Sequence, residues 1–127
     1  MSDIIIIPVV PIGKPRMTQR DKWLRPPRKC VQKYWEYKSE VQRVWEDRPL
    51  PTQFLDIDFF LPMPKSWNKQ KKADLLGTFH DQKPDLDNLV KAFMDALIPE
   101  DKKIASLQTN KFWASQDKGC IVIKNYI

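Results

Sequence analysis

Leu86, Leu89, Val90, Phe93, Met94 and Leu97 recur at i, i+3, i+4, i+7, i+8 and i+11. That spacing puts six apolar side chains on one face of an α-helix. Asp85 stands before the run, where a carboxylate can cap the free N–H groups of a first turn, and Pro99 follows it as a stop. A one-faced helix must lay that face on another element. Upstream, Leu55, Ile57, Phe59 and Leu61 alternate with Asp56, Asp58 and Phe60, the period-2 pattern of a half-buried strand. A second helix is predicted from Gln32 to Asp47, where Tyr34, Tyr37, Val41, Val44 and Trp45 share a face and Pro49 ends the run. Residues 3–10 are β-branched and apolar and read as a buried first strand. Residues 104–114 and 120–126 read as two strands joined in a hairpin through Ser115-Gln116-Asp117-Lys118-Gly119. The order β-α-β-α-β-β predicts an α/β (α+β) fold with helices packed on a mixed sheet. A chain of 127 residues predicts a single domain over 1–127, with about two-thirds of its unfolded surface buried.

Two stretches, 13–31 and 62–80, fit neither period and are long for connections in a small domain. They also hold most of the positive charge. Residues 14–33 contain eight basic side chains and one acidic one (+7), and residues 65–72 contain four lysines and no acid (+4). The rest has ten basic against fifteen acidic residues (−5), within a total of +6. A scaffold this uneven points toward a polyanion, with ordinary solubilising charge as the plainer account. Lys14, Arg16, Arg20, Lys22, Arg25, Arg28 and Lys29, with Lys69, Lys71 and Lys72, are the candidate DNA-backbone contacts. If Z of them engage, log K falls with log salt at a slope near −0.9Z.

Other classes are disfavoured. Cys30 and Cys120 form neither a disulfide framework nor a CxxC metal pair, which suits a reducing cytoplasm. Ile4-Ile5-Ile6-Ile7 has no cationic region before it and is cut by Pro8 and Pro11, unlike a signal peptide. No apolar stretch approaches the ~20 residues of a membrane span. Three glycines, none in a phosphate-cradling pattern, give no support for a nucleotide cofactor.

Chemistry concentrates in Lys83-Pro84-Asp85-Leu86-Asp87-Asn88-Leu89-Val90-Lys91. Asp85 in an extended lead-in and Asp87 in the first helical turn can reach a common point, and Glu100 and Asp101 offer further carboxylates beyond the helix. Hard oxygen donors of this kind hold Mg²⁺, which polarises a phosphate and lowers the pKa of an attacking water. A nearby lysine can stabilise transition-state charge. The plainer account is a cap, a favourable helix dipole and i, i+4 ion pairs along Asp87, Lys91 and Asp95. Pro84-Asp85 followed by Glu100-Asp101-Lys102 also imitates a restriction-nuclease pattern, but there both halves lie on one hairpin, whereas Asp85 opens a helix. His80, the one histidine, lies near Asp85. Asp56 and Asp58 read as a solvated strand face. Trp35 and Trp45 read as core or interface residues, while Trp23 and Trp67 sit beside basic residues where they could stack on unpaired bases.

These residues carry a resemblance. Lys83 to Lys91, continuing through Asp95-Ala96-Leu97 to Glu100-Asp101, resembles the signature of the RusA family of Holliday junction resolvases. Gly13-Lys14-Pro15-Arg16, followed by a Tyr- and Trp-rich helix, is similar to the opening of phage members. The resemblance implies a Mg²⁺-dependent homodimeric endonuclease, with Mn²⁺ a plausible substitute, cutting four-way DNA junctions by paired symmetric nicks. It implies Asp85, Asp87 and Asp101 as metal ligands and Lys91 as the catalytic lysine. The connection Ile98-Pro99 is shorter than in the family, which leaves Glu100 beside Asp101 as the alternative third ligand. Two other readings stand beside it: a DNA-binding recombination accessory without catalysis, and a general flap or branched-DNA nuclease.

Overall fold

The computed structural model describes residues 4–16, 19–115 and 117–127, excluding the side chains of Gln19 and Lys22. Four strands form one sheet: β1 (Ile5–Ile7), β2 (Phe54–Pro62), β3 (Ser106–Ala114) and β4 (Cys120–Tyr126). Three α-helices accompany them: α1 (Lys29–Trp45), α2 (Lys69–Leu75) and α3 (Leu86–Leu97). The strand order is β1-β4-β2-β3, with β2 antiparallel to β4 and parallel to β3. The mixed sheet packed with helices is the α+β arrangement the periodicities predict.

One expectation fails. β3 and β4 are not a hairpin, because β2 lies between them. Leu55, Ile57 and Phe59 are fully buried, and a central position with a partner on each edge buries that strand best. The chain therefore passes from one side of β2 to the other between β3 and β4. There β4 also pairs with β1, in the register Ile5↔Ile123 and Ile7↔Ile121.

The core lies on one face of this sheet. Leu55, Ile57 and Phe59 of β2 and Ile121 and Ile123 of β4 meet Tyr34, Tyr37, Val41 and Trp45 of α1 and Leu89, Val90, Phe93 and Leu97 of α3. Each fully buried side chain of this size contributes about 1.5–3 kcal/mol. The Gln42 amide donates to the Ala96 carbonyl at 2.9 Å and fixes α1 along α3. Trp45 is buried as expected, but Trp35 is half exposed and faces away from the core. The second irregular stretch contains α2, which the sequence pattern does not show: seven residues, none buried, with Asn68 accepting the Lys71 N–H at its start. Such a helix has no apolar periodicity to reveal it.

Asp58 corrects another expectation. It lies on the opposite sheet face but is only 6% exposed. Its carboxylate takes the Lys124 ammonium at 3.0 Å and the Asn110 amide at 3.1 Å. This is a buried ionic contact that ties β2 to both neighbours, not a solvated strand face. Among the described residues no helix is long and apolar enough to cross a membrane.

Candidate active site

Everything the sequence singles out for chemistry begins where α3 begins. Asp85 occupies the N-cap position with extended backbone (φ −65°, ψ 146°), but its carboxylate accepts no capping hydrogen bond. Asp87 follows in the first turn. Both are exposed, and among the described residues neither makes a hydrogen bond or an ion pair. The plain capping role therefore does not account for Asp85. The positive end of the helix dipole favours two anionic groups here.

Lys91 lies one turn on and is exposed. The expected stripe Asp87–Lys91–Asp95 is not a chain of ion pairs. Asp95 instead holds the Lys14 ammonium, which also lies 5.7 Å from the centre of the Tyr34 ring. Burial, and secondly the Asp95 charge, push the Tyr34 phenol up to about 12. Lys14 thus fastens the N-terminal segment to α3.

Gly13 makes the approach possible. A Cβ there would stand 2.6 Å from the Asn88 amide nitrogen, which would have to shift, and in tight contact with the Pro84 Cβ at 3.1 Å. With glycine in place, the Asn88 amide donates to the Lys14 carbonyl at 3.3 Å. The result is a cavity of about 490 Å³ lined by Lys14, Pro15, Arg16, Asn88 and Lys91. Two sequence motifs more than seventy residues apart are brought to one place. The cavity is cationic, and Asp87 sits on the helical turn beside it.

Lys111, on β3, has no place in the sequence reading. Its ammonium donates to the Gln82 carbonyl at 2.5 Å and the Pro84 carbonyl at 2.8 Å, directly ahead of Asp85. It pins the lead-in that presents the first carboxylate. No local signal marks it, since both partners are backbone atoms nearly thirty residues away.

The other candidates divide. His80 is buried and packs against Trp113 with ring centres 3.9 Å apart and planes tilted by 37°. Its Nδ1 accepts the Gln82 N–H at 3.3 Å. Burial, then the Lys111 charge, hold its pKa below the ordinary value of 6.5. An unfolded chain therefore binds this proton more readily, so His80's contribution to stability is complete above about pH 6.5 and is lost as pH falls through the folded-state value. Urea midpoints at pH 7.5 and 5.5 should differ more for the parent than for His80→Gln; equal differences would contradict this packing role.

Trp67 packs edge-on against Trp113 at 4.7 Å and carries the Lys71 ammonium 4.1 Å from its ring centre, so it is not presented for stacking. Arg28 is a brace: its Nε and Nη2 each reach the Asp21 carboxylate at 2.7 Å, and Nη2 also reaches the Arg16 carbonyl at 2.9 Å. Arg20 and Arg25 are exposed on the same segment and Lys29 is exposed at the start of α1, while Lys69 and Lys71 are exposed on α2 with Lys72 half-buried. The Lys22 side chain lies outside the described residues.

Asp101 is placed elsewhere. It follows the C-terminal end of α3 in a short 3₁₀ turn, Asp101–Lys103. The twelve residues of α3 rise ~18 Å, so Asp101 and Glu100 stand at the far end of the helix from Asp85. Glu100 is taken by Lys103 at 2.7 Å. Among the described residues no group of three or more His, Cys, Asp or Glu side chains is gathered to hold a metal. The start of α3 nonetheless fits a hard divalent cation. Mg²⁺ keeps several waters and takes one or two carboxylates together with substrate phosphate, and two unengaged carboxylates beside a cationic pocket meet that need.

The family model for endodeoxyribonuclease RusA matches residues 7–124 of the chain. The chain belongs to the RusA family. Membership makes it an endodeoxyribonuclease of the Holliday junction-resolving kind, and the match takes in both the Gly13–Arg16 segment and the start of α3. No curated protein and no solved structure matches the chain.

Proposed function

We propose that this RusA-family chain hydrolyses phosphodiester bonds of four-way DNA junctions at the N-terminal end of α3, with Mg²⁺ held by Asp85 and Asp87. The observation that carries the reading is the juxtaposition of two unengaged carboxylates with a cationic cavity lined by Lys14, Arg16 and Lys91. Carboxylates alone would repel DNA, and cations alone would only bind it. Together they suit a phosphate that shares a metal with the protein.

When bound, the metal supplies Lewis-acid polarisation of the phosphate and a more acidic water. The chain's residues do the rest. Arg16 offers a planar fork of N–H donors to phosphate oxygens. Lys91, one turn from Asp87, places a positive charge where negative charge grows in the transition state. Lys14, Asn88 and Gly13 hold the loop against α3, and Lys111 holds the lead-in to Asp85. Orienting the phosphate by groups fixed in advance removes reorganisation from the reacting step.

Asp101 remains the third ligand in this proposal, and it can join Asp85 only if the 98–105 connection folds back or a second subunit supplies its own copy. Paired symmetric nicks require two such sites, so the acting form is a homodimer. Exposed Arg20, Arg25, Lys29, Lys69 and Lys71, with half-buried Lys72, would hold the DNA arms, and a cytoplasmic location belongs to the same reading.

Calorimetric Mg²⁺ titration separates this proposal from a non-catalytic binding module. The parent should take up Mg²⁺, more strongly with junction present, and Asp85→Asn should lose most of that heat. Asp101→Asn should weaken uptake only if Asp101 is a ligand. A parent that binds junction DNA with no Mg²⁺-linked heat would support the binding module.

A further inference from the structure

Trp23 is 81% exposed, the most open large apolar side chain among the described residues. The other tryptophans are placed differently: Trp45 and Trp113 are buried, Trp67 packs on Trp113, and Trp35 is half covered on α1. An indole left in water forgoes the burial that stabilises the others.

Its loop is nevertheless held firmly. The Trp23 and Leu24 N–H groups donate to the Arg20 carbonyl at 3.0 and 3.1 Å. Asp21, 7% exposed, receives the two-pronged Arg28 contact, and Arg28 reaches on to the Arg16 carbonyl. Arg16 in turn lines the cavity with Lys91. The indole is thus carried outward on a braced turn, flanked by exposed Arg20 and Arg25 and linked through Asp21 and Arg28 to Arg16 of the candidate active site. A fixed backbone lowers the ordering cost of any contact the ring makes.

We infer that Trp23 stacks on a nucleobase left unpaired where DNA branches, and so favours branched over linear duplex DNA. The flanking arginines match the charge of the adjoining backbone. Inside a linear duplex every base is stacked on both faces, whereas a single strand, or a junction opened at its crossover, offers a free base face to an indole. The inference rests on the DNA-cleaving reading above and adds to it a residue that selects for structure.

The test compares parent, Trp23→Ala and Trp23→Phe by fluorescence anisotropy at fixed salt. Three labelled probes serve: a four-way junction, a linear duplex with the sequence of two of its arms, and an oligo-dT. Trp23→Ala should bind junction and oligo-dT about tenfold more weakly. Its duplex affinity and salt slope should match the parent's, because no phosphate contact is lost. Trp23→Phe should recover most of the junction affinity. Because the side chain is exposed, the unfolding midpoint should stay put, so a folding defect cannot mimic the result. Equal weakening on all three probes, or none on any, overturns the inference. So does a change in sedimentation with DNA affinities intact, which would make the indole a subunit contact. A parent that binds none of the probes defeats the DNA reading itself.

Discussion

Asp87→Asn should cut a synthetic four-way junction at least ~10²-fold more slowly than the parent at saturating Mg²⁺, while binding that junction as tightly or more tightly. Asp87 lies in the first turn of α3 with its carboxylate unengaged, next to a cavity lined by three basic side chains. In the proposed role it anchors a cation, and loss of one such electrostatic partner costs ~3–4 kcal/mol of barrier. Amide for carboxylate keeps the size and the helix position, so the core should not change. The amide also removes a negative charge close to the DNA, which is why binding should hold or improve. Gel-based single-turnover rates and anisotropy on the same preparations check both halves. Cleavage within threefold of the parent would remove Asp87 from the site.

Lys111→Met should lower the single-turnover rate by about 10- to 100-fold with junction affinity unchanged, the size expected when a reacting group is misplaced by about an ångström. Lys111 grips the Gln82 and Pro84 carbonyls from β3, across a register in which it stands opposite Phe59. Without the ammonium, the hydrogen bonds from β3 stop, among the described residues, at His80, whose N–H donates to the Lys111 carbonyl at 3.0 Å, and the Gln82 and Pro84 carbonyls lose their donor. Methionine keeps the apolar stem over the sheet, so unfolding should stay cooperative. Lys111→Arg retains donors for both carbonyls and should recover much of the rate. A positioning role also predicts a higher Mg²⁺ requirement in Lys111→Met, which a purely structural lysine would not produce. Unchanged rate and unchanged Mg²⁺ requirement would show that the turn holds its shape unaided.

α1 and α3 are legible because each states its own period, whereas α2, with no buried residue, states none. Residues 86–97 bury Leu89, Val90, Phe93 and Leu97 as their spacing requires, and α1 differs mainly by starting at Lys29, within the basic loop. Strand neighbours are not legible in that way. Alternation identifies β2, but nothing local to residues 104–126 says that β4 must cross to its other edge. The site shows the same division. Asp85, Asp87 and Lys91 announce themselves by lying together in the chain. Lys111 acts through backbone carbonyls, and Lys14 turns out to face Asp95, so both roles exist only after folding. Asp101 is the reverse case. Sequence resemblance puts it in the site, while the short connection after α3 leaves it at the other end of the helix.

The charge division is sharpened by the structure as well. The segment 14–29 is tied to α3 at its start and internally braced at Arg28, with Trp23 on its outside. Its described residues form a shaped surface that ends in the cationic cavity.

The most direct test is a strand-mapped cleavage assay on a four-way junction, a flap and a linear duplex of shared sequence, with Mg²⁺ and with EDTA. The parent should nick the junction symmetrically on two opposing strands in Mg²⁺, cut flap and duplex far more slowly, and cut nothing in EDTA. An intact junction across a range of protein concentrations, or duplex cut as fast as junction, would contradict the assignment.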